Sequence, residues 1–478
     1  CLLCLYFAYS KFFVSEEQAV IRTTVGDFIH GDVVIGAYID GEYSSTIPGK
    51  NDGYVVDKVS CDNGAVGKWN NDKWGLLTTN LSKRTKCNVY FKKVVSKVPD
   101  IIAQLDTTGK CPTMNADGSV NVTGLEATNG YLCKAKDAYG DSYYYRGNVT
   151  NNYVKFGKWA GDTPTVVYGY YINEYREYDS MEACQNASYY NKNCTIINRA
   201  GKDMYWRIIR INGDGSVRVI YDGTSAHANG EASRDRQIGT SAFNSSYNDN
   251  AYVGYMYGQT GASTYADAHA NTNNSTIKTY KDNWYKTNIV GTANEQYLAD
   301  NVFCNDRSIS TGTPSGYSNL GYGTEITAYR WYYFANSSYN NKMMLTCPQQ
   351  NDAFTVSDTT NGNGALTYPV GLLSTDEIVL AGGWGDSNSG YYLYSGQKWW
   401  ASSPYAFRGS YASVRYVGSV GYANNNSDVN VDNGVRPVFN LKAEALKYGD
   451  GTASNPYRLT ESLDNSSSSE SGGIDTGD

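Results

Sequence analysis

The chain of 478 residues is long enough for roughly two or three domains, each with its own hydrophobic core. It has 40 Lys and Arg against 47 Asp and Glu, so it lacks the basic excess with which nucleic-acid-binding proteins displace counterions, and we predict no nucleic-acid partner. Tyrosine is abundant, with 45 residues against 12 Phe. Because tyrosine has a flat ring and a polar tip, this excess fits either a β-rich secreted protein or a recognition surface.

The chain opens with the apolar sequence CLLCLYFAYSKFFV, which is shorter than the roughly 20 residues that span a bilayer. We interpret 1–14 as the end of a transmembrane helix or signal anchor and 15–32 as a stalk. One alternative is a lipoprotein lipidated at Cys1, which the bulky Leu2 and Leu3 disfavour. Another is the remnant of a cleaved signal peptide. The first interpretation predicts a protein anchored in a membrane and facing outwards.

Eight of the ten cysteines follow this segment, and none of them shows C-x-x-C spacing. With only three histidines in the chain, the sequence favours neither a metal site nor a cofactor. We predict that the cysteines pair sequentially, because each bridge then closes a short loop within one module. Such bridges require an oxidising compartment outside the cytoplasm. The predicted pairs are Cys61 with Cys87, Cys111 with Cys133, Cys184 with Cys194, and Cys304 with Cys347.

Residues 33–93 read as a small all-β sandwich that serves as a spacer. β-Branched runs such as Val33-Val34-Ile35 are separated by turn signals such as Asp40-Gly41. Trp69 and Trp74 lie between the first two bridging cysteines, so we expect a core built from a disulfide and a tryptophan.

Residues 94–138 are predicted to be a linker helix and a disulfide loop. Pro99 precedes an apolar run and suits the first turn of a helix. The segment 115–119 has the sequence NADGS, but the remaining spaced acidic ligands and the closing Glu of a calcium loop are absent. We therefore expect a tight turn there and no requirement for calcium.

The main module, 139–459, has the pattern of an α+β domain. Two alternating runs flank the turn sequence NGDG at 212–215, which predicts a β-hairpin. Ser275 can cap a helix with one buried apolar face, and a second short helix is suggested at 294–303. The sequence STDE at 374–377 is a capping box. The Ser-rich tail at 460–478 has the composition of a disordered linker.

Four segments of this module carry a resemblance to a known family. They resemble an uncharacterised bacterial surface domain that is common in gut Firmicutes. That domain is similar to the C-type-lectin-like fold of formylglycine-generating enzymes and retroelement-diversified receptors. The resemblance covers roughly 143–441, with an apparent insertion at about 158–203, and implies a C-type-lectin-like fold. The segments are YWRII at 205–209, YPVGLLSTDE at 368–377, WWASSP at 399–404 and GVRPVFNL at 434–441.

Two of these segments also predict structural roles from their own chemistry. Trp399 and Trp400 are adjacent, so they point to opposite faces of a strand, and one can fill the core while the other packs under a loop. Arg436 lies in an apolar run and needs carboxylate or carbonyl partners if it is buried. We favour a structural Arg436 over a ligand-binding one. Pro437 fits a strand edge or a bulge.

The stretch 405–432 combines rigid aromatic and adaptable polar residues, as antibody paratopes do. In the retroelement-diversified receptors, the equivalent stretch is the variable ligand-binding surface. We therefore predict an exposed recognition face for an unknown extracellular glycan or protein, with an ordinary pair of exposed strands as the alternative. The candidate ligand-binding residues are Tyr405, Arg408, Tyr411, Ser413, Arg415, Tyr416, Tyr422, Asn424, Asn426 and Asp428.

No familiar catalytic motif is present in the sequence: it has no G-x-S-x-G, H-E-x-x-H, Walker or G-x-G-x-x-G pattern. Helix capping accounts for Asp376 and Glu377. Cys304 and Cys347 are the only candidates for a reactive pair like that of the formylglycine-generating enzymes, and their surroundings do not match that family's motif. We predict no catalytic residues and a cell-surface adhesin or receptor. The alternatives are a structural subunit of a surface layer or pilus-like filament, and a degenerate hydrolase or oxidase.

Overall fold

A computed structural model gives the fold of most of the chain and divides it into two compact units, Cys1–Val95 and Ser96–Asp478. The predicted anchor at 1–14, the stalk at 15–32 and the Ser-rich tail from 462 onwards lie outside the described residues. Among the residues that are described, no helix combines the length and apolar character needed to cross a bilayer. The described residues are 33–49, 52–70, 73–80, 85–93, 95–122, 129–171, 174–187, 194–332, 342–384, 387–423 and 425–461.

The first unit is a four-stranded sheet with a two-stranded hairpin. The sheet order is β2-β1-β6-β3, β1 and β6 run parallel, and β4 pairs with β5. Trp69 of the hairpin lies edge-on to Trp74, with ring centroids 5.5 Å apart, and to Phe91 of the sheet, at 5.3 Å. The predicted all-β unit with tryptophan in its core is thus confirmed. Its strands are β1 (Val33–Ile39), β2 (Glu42–Ser44), β3 (Tyr54–Cys61), β4 (Val66–Asn70), β5 (Gly75–Thr79) and β6 (Thr85–Lys93).

The second unit is mostly β, with five short α-helices among the residues that the structure covers. The helices are α1 (Val98–Ile102), α2 (Met181–Gln185), α3 (Tyr265–Ala268), α4 (Thr276–Asn288) and α5 (Thr375–Ala381). The strands are β7 (Val120–Asn121), β8 (Tyr131–Asp137), β9 (Gly140–Arg146), β10 (Tyr153–Lys158), β11 (Val166–Tyr171), β12 (Glu174–Tyr178), β13 (Thr195–Ile197), β14 (Asp203–Ile211), β15 (Val217–Gly223), β16 (Gly239–Ala242), β17 (Met256–Tyr257), β18 (Asn273–Asn274), β19 (Phe303–Cys304), β20 (Thr327–Ala328), β21 (Lys342–Met343), β22 (Ala353–Phe354), β23 (Trp399–Phe407), β24 (Ala412–Val417), β25 (Asn425–Asp428), β26 (Asp432–Val435), β27 (Val438–Leu441) and β28 (Tyr457–Arg458).

Two large sheets organise this unit. One has the order β27-β15-β14-β10-β28, with β9 on β14 and β8 on β9. The other has the order β16-β26-β23-β24-β25, with β20 also on β23. Trp206 of the first sheet and Trp399 and Trp400 of the second are buried in one continuous hydrophobic core. The core therefore holds both sheets in a fixed relation.

Local sequence signals predicted several of these elements correctly. Strands β14 and β15 form the hairpin expected around 212–215. Ser275 caps α4 by accepting a hydrogen bond from the backbone of Lys278. Ser374 and Glu377 form the expected capping box of α5. Residues 115–119 form the expected tight turn, closed by a hydrogen bond from the Asn115 amide to the Ser119 carbonyl.

Other predictions were wrong because tertiary pairing overrides local preference. The stretch 94–138 contains the predicted helix at Pro99, but it is not a linker, since β8 is a strand of the larger sheet. The predicted helix at 294–303 is reduced to one 3-10 turn, Glu295–Tyr297. Beyond this turn the Ala299 amide donates to Asn440 of the sheet, so the backbone there pairs with a strand instead of with itself.

The apparent insertion at 158–203 has a substructure of its own. Strands β12, β11 and β13 form a separate three-stranded sheet, and α2 ends beside a disulfide between Cys184 and Cys194. Buried tyrosines are frequent elsewhere in the second unit, including Tyr144, Tyr221 and Tyr392. Much of the tyrosine excess therefore fills the core, and only part of it remains for a surface role.

Candidate functional site

All four predicted disulfides are present. The sulfur atoms are 1.98 Å apart in Cys61–Cys87, 1.96 Å in Cys111–Cys133, 2.02 Å in Cys184–Cys194 and 2.03 Å in Cys304–Cys347. Cys304 and Cys347 are therefore bonded to each other and are not free thiols. Disulfides of this kind persist in oxidising environments and are typical of extracellular or secreted proteins.

The residues predicted to be structural take up that role. Trp400 donates a hydrogen bond from its indole nitrogen to the Ser241 carbonyl over 2.8 Å. Arg436 is buried and lies 5.1 Å from the ring centre of Trp399. Pro437 lies between β26 and β27, and its carbonyl accepts from the Tyr221 amide. The contacts described for these residues join elements of the fold to one another.

Arg436 belongs to a buried cluster that the sequence did not reveal, which we call the arginine hub: Arg207, Arg236 and Arg436 around Asp222. The Asp222 carboxylate lies 2.8 Å from Arg236, 2.7 Å from Arg436 and 3.9 Å from Arg207. None of these side chains is accessible to solvent. Burial lowers the pKa of Arg436 to about 10, although Asp222 opposes the shift. Backbone carbonyls, such as that of Leu393, complete the coordination of the guanidinium groups.

A second set of internal ion pairs involves Asp376 and Glu377, the two carboxylates in the first turn of α5. Glu377 accepts hydrogen bonds from Arg218 over 2.6 Å and from Arg210 over 3.2 Å. Burial raises the pKa of Glu377, but the two arginines outweigh it and the net shift is downwards. Asp376 pairs with Arg330, and burial raises its pKa. Glu377 thus both caps α5 and joins an internal ion network, whereas Asp376 lies in the first turn of the helix and pairs with Arg330.

The predicted recognition stretch is only partly exposed. Ser413 has 0% and Arg415 has 2% of its surface accessible, so their assignment to an exposed face was wrong. Ser413 donates to Asp428 over 3.0 Å, and Arg415 donates to the Trp331 carbonyl. Their strand β24 is packed on both faces, and alternation in the sequence cannot distinguish two buried faces.

The remaining candidates differ in exposure. Arg408 is exposed and Tyr411 is 45% exposed, and both lie in the turn that joins β23 to β24. This turn is closed by a hydrogen bond from the Arg408 amide to the Tyr411 carbonyl. The other described candidates are half-buried, and Asn424 lies outside the described residues. The half-buried set is Tyr405, Tyr416, Tyr422, Asn426 and Asp428.

Three tyrosines from distant loops pack against rings in or next to this turn, in two groups: Tyr247 on Tyr411, and Tyr317 with Tyr332 on Tyr405. We call these five residues together the tyrosine patch. The Tyr247 and Tyr411 rings stack at 5.0 Å with an interplanar angle of 10°. The Tyr332 and Tyr405 rings stack at 5.0 Å and 24°. The hydroxyls of Tyr317 and Tyr332 are 3.4 Å apart. Sequence reasoning missed the three loop tyrosines because only folding brings them near the turn.

Two arginines flank one ring of the patch. The guanidinium carbon of Arg408 lies 5.0 Å from the Tyr405 ring centre, and that of Arg415 lies 4.5 Å from it. Both distances fall in the range of cation–π attraction. Burial lowers the pKa of Arg415 to about 10, and the nearby charge of Arg408 lowers it as well. The patch thus offers aromatic surface, hydroxyl groups and positive charge.

Within the described residues, the rings of the two histidines hydrogen-bond to carboxylates and to a backbone carbonyl and to no Ser or Cys side chain. His227 lies between Glu231, 2.7 Å from its Nδ1, and Asp235, 3.4 Å from its Nε2. Burial lowers the pKa of His227, but its interactions with the two carboxylates outweigh this and raise it above the ordinary value. His269 is buried against the Gly321 carbonyl. Among the described residues no group of three or more His, Cys, Asp or Glu is arranged to hold a metal.

Comparison with known proteins finds no matching family model, no similar curated protein and no similar solved structure. The C-type-lectin-like fold and the Firmicutes resemblance therefore remain predictions. The established features are a mostly β architecture in several sheets and four disulfides. Together they define a disulfide-bonded β protein of the extracellular or secreted kind.

Proposed function

We propose that the chain is a binding protein of the bacterial cell surface, adhesin-like or receptor-like, and that the tyrosine patch is its recognition surface. The observation that carries this proposal is the stacking of exposed and half-buried tyrosine rings from four chain segments around the β23–β24 turn. Tyrosine supplies a large contact area at low conformational-entropy cost, which is why it dominates natural binding surfaces. The ligand is an extracellular glycan or protein.

The frame behind the patch supports this role because it is rigid. Strand β23 is paired with β24, β26 and β20. The Ser402 hydroxyl on β23 donates to the carbonyl of Cys304, which a disulfide ties to Cys347. A surface that is already ordered loses less entropy on binding, so more of the contact energy appears as affinity.

A membrane tether at 1–14 and a C-type-lectin-like head complete the proposal, and both rest on the sequence patterns given above. The pairing of Asp376 with Arg330 and of Glu377 with Arg218 supports a binding role over a hydrolytic one, since these carboxylates already have partners within the fold. Binding without catalysis is the function that this combination favours.

The test is a screen of the full chain on glycan and protein arrays, followed by the variants Tyr411→Ala and Tyr332→Ala. Each should weaken binding of the array hit about tenfold or more, as loss of a central aromatic contact does. Tyr43→Ala is the matched control, because Tyr43 is 67% exposed and lies in the first unit. Binding that survives both patch variants unchanged would overturn the proposal.

A further inference from the structure

We propose that the tyrosine patch binds an acidic glycan and that Arg408 holds its carboxylate or sulfate group. This inference rests on the proposed function and adds the class of ligand. Its basis is the placement of one exposed guanidinium, unpaired among the described residues, directly beside stacked tyrosine rings.

Arg408 differs from the other arginines of the second unit in its partners. Arg207, Arg218 and Arg436 are buried and donate to carboxylates, amides or carbonyls. Arg408 is exposed and, within the described residues, its side chain makes no hydrogen bond and no ion pair. Its five donors form a planar fork that fits a carboxylate or sulfate in two parallel hydrogen bonds.

The surroundings of Arg408 favour an anion. Arg415 lies near the same Tyr405 ring, so two positive charges flank one aromatic group. This local positive charge occurs in a chain whose formal net charge is −7. An anionic ligand group at Arg408 would offset the repulsion between the two guanidiniums, whereas a cationic group would add to it.

The shape of the patch favours a sugar over an acidic peptide. The rings of Tyr247 and Tyr411 are stacked nearly parallel, so the outer face of the more exposed ring, Tyr411, gives a flat surface on which the C–H face of a pyranose can stack. The hydroxyls of Tyr317 and Tyr332 can exchange hydrogen bonds with sugar hydroxyls. Peptides often bind by adding a strand to a sheet edge, but β23 and β24 both have partner strands on each side.

The experiment measures binding of the full chain to matched probes by calorimetry. The acidic probes are tetragalacturonate, 3′-sialyllactose and 3′-sulfolactose. Their neutral counterparts are methyl-esterified tetragalacturonate and lactose, and a hexaglutamate peptide represents acidic peptides. We expect at least one acidic sugar to bind about tenfold or more tightly than its neutral counterpart, with an affinity that falls as salt rises.

The variants assign this preference to Arg408. Arg408→Gln should remove the preference for the acidic sugar, and Arg408→Lys should keep only part of it because an ammonium group lacks the planar fork. Lys442→Gln, which removes an exposed charge on the carboxyl side of β27, is the matched control and should change nothing. Arg408 is exposed, so thermal unfolding of both Arg408 variants should match that of the parent chain.

The outcomes separate this inference from the proposed function. Equal affinity for acidic and neutral sugars, combined with loss of binding in Tyr411→Ala, overturns the acidic class and leaves the recognition surface intact. Binding of sugars that Tyr411→Ala does not affect overturns both. Binding of hexaglutamate but of no acidic sugar overturns the glycan class, and so does binding of none of the acidic probes.

Discussion

The arginine hub and the tyrosine patch each place an arginine beside a tyrosine ring, Arg207 on Tyr153 in the hub and Arg408 on Tyr405 in the patch, with opposite results. In the hub, three guanidiniums surround Asp222 and none reaches solvent. In the patch, Arg408 stays exposed beside stacked rings. An arginine next to a tyrosine thus indicates neither a core nor a site by itself. The difference lies in whether the protein supplies the partner or leaves it to be supplied from outside.

The hub offers the strongest test of this comparison. Asp222→Asn should lower the free energy of unfolding by about 3–5 kcal/mol, because it leaves buried guanidiniums without their carboxylate. Chemical denaturation measures the effect. Asp432→Asn, at an exposed position of β26, is the control and should change the stability by less than about 0.5 kcal/mol. A loss below about 1 kcal/mol for Asp222→Asn would show that the carbonyl partners suffice without the carboxylate.

The next largest effect on stability is expected for the disulfide between Cys304 and Cys347, which lies behind the patch. Replacing both Cys304 and Cys347 with Ser should destabilise the second unit by about 2–4 kcal/mol, because the reduced loop regains conformational freedom when it unfolds. Since Cys304 lies beside β23, ligand affinity at the patch should fall as well. The matched control is the Cys184–Cys194 pair, which closes a shorter loop, with a sequence separation of 10 against 43. A control that costs more stability than the test pair would contradict this ranking.

Lys281 sharpens the comparison because its buried amine lacks the hydrogen-bonded carboxylate that the hub provides. Its amine has no hydrogen-bond partner within the described residues and lies 4.3 Å from the Tyr255 ring centre. Burial lowers its pKa well below the ordinary value. Lys281→Met should therefore raise the free energy of unfolding at neutral pH, by about 1–3 kcal/mol.

The pH dependence of the free energy of unfolding also tests whether burial lowers the pKa of Lys281. The unfolded chain binds a proton at Lys281 that the folded chain releases, so the parent protein should gain stability as pH rises towards 10.5, the unfolded pKa. Lys281→Met should lack this gain, whereas Lys442→Met, at an exposed position, should retain it. Identical pH profiles for the parent chain and Lys281→Met would show that Lys281 is charged and compensated in the fold.

His227 predicts a smaller effect of the opposite sign. Its pKa is raised in the folded chain, so its stabilisation is fully present below the unfolded pKa of about 6.5 and is lost as pH rises through the folded value. Between these two values the parent chain should lose stability, and His227→Asn should not. Unfolding curves at closely spaced pH values measure the difference. A parent chain that gained stability across this window would contradict the direction of the shift.

The patch itself should show the smallest effect on stability. Arg408→Gln and Tyr411→Ala should each change the free energy of unfolding by less than about 1 kcal/mol, because both residues lie in an exposed turn. The same variants are expected to weaken ligand binding about tenfold. A large stability loss in either variant would show that the residue is needed for folding, as the hub residues are, and would contradict this prediction.

Local signals in the sequence predicted the parts of the fold that local physics controls. The cap at Ser275, the capping box at Ser374 and the hairpin turn at 212–215 depend on neighbouring residues, and the structure has all three. The burial of Arg436 also followed from its apolar neighbours. The sequential pairing of the cysteines was also predicted correctly, because the two cysteines of each pair are close along the chain.

The sequence did not predict the features that depend on contacts between residues far apart in the chain. Tyr247 meets Tyr411 only after folding, and nothing around either residue signals the other. Arg415 reads as exposed in an alternating strand, yet a second packed layer covers it. The hub combines residues from three regions of the chain around Asp222. Position within the completed fold determined these outcomes, and the composition of each segment did not.

The turn between β23 and β24 has a consequence for how such a protein can change over generations. Gly409 adopts a φ of 81° there, a conformation that favours glycine, so this residue is constrained by the backbone. Its neighbours at 408, 410 and 411 meet no comparable constraint, because the strands on either side are already secured. New side chains can therefore be tried at these three positions without loss of the scaffold, which would let related proteins present different surfaces on a shared architecture.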